Sequence, residues 1–167
     1  MSNELQQILV LVNDYCSALQ HTSEMEKDEF VNEILGYLPQ IYWHFFSYDP
    51  SEEMMQPDYG YYPSYVDEDF YESIRHRIGV LMGEDDVFLE TFEEDMKYSD
   101  TPIAASISES LADIFQPLYN FLITVRKTEG AEALGAYIEC RENFGSYWSQ
   151  TLCNVMRALN NIKYGNQ

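Results

Sequence analysis

The chain has 167 residues, 46% of them hydrophobic and 15% aromatic, with 29 acidic side chains against 9 basic ones and a formal charge of −20. That length and apolar content suit one domain with a buried core and exclude a disordered acidic polypeptide. The charge argues against nucleic acid and anionic membrane as partners, and it is steepest early, where the first 74 residues hold 15 acids against Lys27 alone.

Leu5, Ile8, Leu9, Val12, Tyr15, Cys16 and Leu19 recur at helical spacing and predict a first helix over Asn3–Gln20. Ser23 followed by Glu26 forms a capping-box pattern that opens a second helix. Its stripe runs from Phe30 to Phe46, with Pro39 on the opposite face. Periodicity then stops over residues 49–66, a long Tyr/Pro/acidic loop carrying Tyr59, Tyr61, Tyr62 and Tyr65. Ser64 with Asp67 can cap a third helix that ends at Gly83. Asp85 or Asp86 can cap a short fourth helix bearing Phe88, Leu89, Phe92 and Met96. Thr101 and Pro102 have the order expected of a helix start and predict a fifth helix through Val125. Gly130 separates it from a last, long helix running to Ile162. No strand-like alternation of useful length competes. The expectation is an all-α fold, a single antiparallel bundle of five or six helices over residues 1–167.

Cys16, Cys140 and Cys153 lie in helical patterns without a C-x-x-C partner and read as buried thiols of a reducing compartment. Met1-Ser2-Asn3-Glu4 has no basic region ahead of an apolar stretch, and no apolar run reaches the ~18 residues a bilayer span needs. These features predict a cytoplasmic protein.

The block GEDDVFLETFEEDMKYSDTPIAASISESLADIFQPLYNF, then ENFGSYWSQTLCNVMRALNNIKY, resembles a bacterial family catalogued as domain of unknown function 5063. The likeness covers nearly the whole chain, including the upstream YLPQIY segment. The resemblance implies an intracellular helical domain. It brings no activity, substrate, cofactor or catalytic residue.

The residues themselves offer a few chemical readings. All-α nucleoside triphosphate pyrophosphohydrolases hold Mg²⁺ with an E-x-x-E pair and a later E-x-x-D pair. Glu90 and Glu93 fit the first pair, whereas Glu109 and Asp113 are one residue too far apart for the second. Both pairs sit opposite apolar faces, so a solvated acidic surface is the expectation, with Glu109, Asp113, Gln116 and Asn120 forming one outward stripe. Glu72 and His76 read as an exposed helix pair, and Ser106, Ser108 and Ser110 lack a neighbouring histidine. Arg141 falls in the apolar stripe between Tyr137, Phe144 and Trp148. A charge there either bridges to a neighbouring helix or, with Tyr137 and Trp148, lines a cleft for an anion. The tyrosine loop either forms a contact surface or covers the bundle. The leading expectation is a non-enzymatic interaction module with an acidic surface and a protein partner, with no cofactor or metal. The alternative is a Mg²⁺-dependent nucleotide hydrolase.

Overall fold

The computed structural model describes residues 1–54, 62–90 and 103–165. It contains α1 (Asn3–Gln20), α2 (Lys27–Ser47), α3 (Glu68–Met82), β1 (Val87–Leu89), β2 (Ala104–Ser106), α4 (Ile107–Lys127), α5 (Ala133–Asn143) and α6 (Ser149–Tyr164). Among the described residues the fold is an all-α bundle with one small two-stranded antiparallel sheet. No helix among the described residues is long and apolar enough to cross a membrane.

Several helix ends follow local capping chemistry. Ser2 Oγ accepts from the Leu5 amide at 3.1 Å, and Asp67 Oδ1 accepts from the Phe70 amide at 2.7 Å. Gly83 ends α3 at φ +59°, a left-handed conformation that favours glycine. Other expected starts are corrected. Ser23 lies in a 3₁₀ turn, Thr22–Glu24, and Glu26 opens α2 without a side-chain cap. The expected fourth helix gives way to a 3₁₀ turn at Gly83–Asp86 and then to β1. Residues 91–102, with Phe92, Glu93, Met96, Thr101 and Pro102, lie outside the described residues.

Strand β1 pairs antiparallel with β2, Phe88 opposite Ala105. Asp86 does not cap a helix of its own. Its carboxylate accepts from the Ser108 amide at 2.8 Å and the Ser108 hydroxyl at 2.7 Å, fixing the small sheet to the start of α4. Ser106 provides the N-cap of α4, accepting from the Glu109 amide at 3.1 Å.

Helix α4 is the central element, packed against α1, α3, α5 and α6. Ile107, Leu111, Ile114, Phe115 and Leu118 on it are fully buried, and one core cluster draws on all six helices. Cys16 and Cys140 are buried as expected, whereas Cys153 is exposed. Tyr15 donates a buried hydrogen bond to the Leu111 carbonyl at 2.8 Å, linking α1 to α4. Tyr15→Phe should lower the unfolding free energy by about 1 kcal/mol in a denaturant titration; an unchanged midpoint would show that this bond contributes nothing. The last expected helix is interrupted: α5 passes into a π-helical turn, Phe144–Trp148, before α6 begins.

Candidate functional site

On α4, Asp113, Gln116 and Asn120 lie on one face. The expectation for this stripe was open solvent. Instead α5, the π turn and the segment around Tyr62–Ser64 stand beside it and enclose a cleft of about 410 Å³. Ala136, Glu139, Cys140 and Asn143 of α5 form the facing wall, which Tyr147 and Trp148 of the π turn extend. Pi turns bring in one extra residue per turn and recur at functional sites.

The cleft is built from held side chains. Tyr71 donates to Asp113 Oδ1 at 2.6 Å, and Tyr147 donates to Asp113 Oδ2 at 3.3 Å. Burial, then the Asp113 carboxylate, pushes the ionisation of both tyrosines upward, so their hydroxyls stay neutral donors. Pro117 has no N–H to offer the Asp113 carbonyl, and its own carbonyl accepts from the Cys140 thiol at 3.6 Å. Asn120 Oδ1 accepts from the Tyr65 amide at 2.7 Å, which ties the end of the tyrosine-rich loop to α4. Partial burial, then the charge of Glu142, raises the Glu139 carboxyl above its ordinary value. Trp148 is fully buried, and its indole Nε1 has no hydrogen-bond partner among the described residues. No lysine, arginine or histidine lines the cleft among the described residues. A shallower depression of about 420 Å³, lined by Asp14, Glu24 and Glu33 among others, lies against the α1–α2 turn.

The other candidate residues disperse. Glu109 is exposed, Glu90 is half-buried and Glu93 lies outside the described residues. Among the described residues no group of three or more His, Cys, Asp or Glu converges to hold a metal ion. Asp113 is half-buried under its two tyrosines, not solvated. Glu72 is turned to Arg75, 2.7 Å away, and His76 is exposed. Ser108 and Ser110 are buried. Tyr62 lines the cleft and donates to Glu132 at 3.3 Å, and Lys127 Nζ stands 4.5 Å from the centre of the Tyr65 ring. Tyr59 and Tyr61 lie outside the described residues.

Arg141, Tyr137 and Trp148 do not form one site. Arg141 is half-buried and caps the end of α2: its Nε donates to the Phe45 carbonyl at 3.0 Å and Nη2 to the Phe46 carbonyl at 3.3 Å, with Asp49 3.5 Å away. Tyr137 reinforces the same end, donating to the Tyr48 carbonyl at 2.9 Å. Trp148 alone reaches the cleft. Arg141→Ala should therefore cost about 1–2 kcal/mol, since it removes charge-assisted bonds at a helix C-terminus. Arg126→Ala loses one exposed bond, to Asn13, and should cost less than about 0.5 kcal/mol. Equal melting temperatures for the two variants would overturn this contrast.

Sequence reasoning missed Glu139, Asn143 and Tyr147 as cleft residues. One signal was present: Pro117 interrupts the hydrogen bonding of α4 beside its polar stripe.

A family model described as "Domain of unknown function (DUF5063)" matches residues 1–165. The chain is also similar to the crystal structure of protein BF1032 from Bacteroides fragilis, a structural genomics target, at 25% identity and a TM-score of 0.82, over 99% of this chain and 96% of that one. No curated protein matches the chain.

Proposed function

Since the chain belongs to the DUF5063 family, whose description carries no reaction, we propose from the site itself that it is a non-enzymatic, cytoplasmic protein–protein interaction module that recognises a basic partner. The observation that supports this reading is the cleft: it presents carboxylates and amides beside aromatic side chains, and no basic side chain among the described residues lines it. Aromatic side chains beside polar rims are the usual composition of interaction surfaces. A charge of −20 draws basic segments and repels anions, phosphorylated ligands included.

The test uses peptides of matched length, one rich in lysine and arginine and one rich in glutamate. The basic peptide should bind saturably and lose affinity as salt is raised, because screening shortens the reach of the acidic field. Equal binding of both peptides would overturn the reading. So would Mg²⁺-dependent turnover of a nucleoside triphosphate, which would instead establish the hydrolase.

A further inference from the structure

We infer that the α4–α5 cleft is a binding site for one organic cation, an alkylammonium or guanidinium group on an apolar stem. The inference deepens the interaction-module reading and rests on it for the source of that cation, a basic side chain of the partner.

The charge pattern is the first argument. Elsewhere some carboxylates meet cations, Asp85 with Lys27 at 2.6 Å and Glu72 with Arg75 at 2.7 Å, while others such as Asp86 meet neutral donors. In the cleft, the partners of Asp113 among the described residues are the neutral hydroxyls of Tyr71 and Tyr147. Those bonds fix both carboxylate oxygens in place without cancelling the charge. Glu139 adds a second carboxylate across the cleft, and the protein walls concentrate the field of both.

Shape and surroundings are the second. Phe121, Pro117 and Trp148 offer apolar surface to a stem, and the volume is in the range of ligand pockets, about 300–1,000 Å³. Trp148 belongs to the wall, and its buried indole N–H has no partner among the described residues. A divalent metal fits less well, because it needs several converging oxygen ligands, whereas an ammonium or guanidinium is met by one carboxylate and an amide such as that of Gln116.

The chain has two tryptophans, Trp43 and Trp148, so Trp43→Phe leaves Trp148 as a reporter in the cleft wall. In that background, pentylamine and pentylguanidine should shift the emission saturably, and pentanoate and pentanol should not. Glu139→Gln should weaken amine binding about threefold and Asp113→Asn about tenfold, following the weaker and stronger geometries of their charges. Glu139 is exposed, so its variant keeps the test valid even if Asp113→Asn unfolds. A short lysine peptide should bind and be displaced by excess pentylamine. No amine response, an equal response to pentanoate, or amine binding indifferent to both variants would overturn the assignment. If amines bind and lysine peptides do not, the cation site stands and the protein-partner reading falls. If lysine peptides bind but neither the variants nor excess amine weakens them, the cleft assignment falls and the interaction reading stands.

Discussion

Trp148→Ala is expected to lower the unfolding free energy by about 3–5 kcal/mol, the range for deleting a large buried aromatic side chain. The ring is fully buried and meets Phe45 edge-on at 5.0 Å between centroids and Phe144 at 4.7 Å, so it joins α2 to the π turn. Deleting it would open a void between α2 and the π turn, beside the cleft wall, and interiors collapse only partly into such voids. Trp148→Phe separates ring from nitrogen. The indole N–H has no partner among the described residues, so phenylalanine forfeits no hydrogen bond seen there and removes a buried polar atom that is costly to leave unpaired. Its cost should stay near 1–2 kcal/mol, from lost volume alone. Denaturant unfolding followed by far-ultraviolet circular dichroism measures both. Equal losses for the two variants would show that the nitrogen, through a bond formed in solution, carries the contribution.

The helices were legible because burial on one side of a helix writes a 3.6-residue period into the sequence. Asp67 and Gly83 marked the ends of α3 because N-caps and left-handed stops depend on one residue each. The small sheet was not legible. Val87–Leu89 and Ala104–Ser106 are three-residue strands, too short to show alternation, and each is a strand only because the other pairs with it. Asp86 had the chemistry of a cap, but the N-terminus it serves belongs to α4.

The cleft was half legible, for a related reason. A periodic pattern says that Asp113, Gln116 and Asn120 share a polar face; it does not say what stands opposite that face. On a peripheral helix the answer is water. Helix α4 has neighbours on several sides, so its polar face meets α5 and becomes a cleft wall. Arg141 shows the same limit. Its place among apolar residues announced a charge in need of partners, but backbone carbonyls at the end of another helix leave no mark in the sequence.

Raising the pH from about 9 to about 11 is expected to unfold the protein cooperatively. Cys16, Cys140 and Tyr15 are buried, and burial, the first cause in each case, holds their ionisation well above the ordinary thiol and phenol values. Tyr137 is raised in the same direction, also by burial first. In the unfolded chain these groups lose their protons at ordinary values; in the fold they keep them. Their contribution is therefore fully present below the ordinary values and declines as the pH climbs past them, by roughly 1.4 kcal/mol per pH unit for each group. With the two thiols and Tyr15 past that point, the slope is roughly 4 kcal/mol per unit, against a total stability of order 5–15 kcal/mol. Self-repulsion of a chain at −20 acts in the same direction but is screened by salt, whereas burial is not. High salt should thus move the alkaline midpoint only modestly, and replacing both Cys16 and Cys140 by alanine should move the onset upward into the tyrosine range. Circular dichroism and tyrosinate absorbance, recorded together, decide the matter. Exposed tyrosines should titrate first and the rest should follow in one step with loss of helix; complete tyrosinate formation with the helical signal intact would show that the buried groups ionise inside the fold.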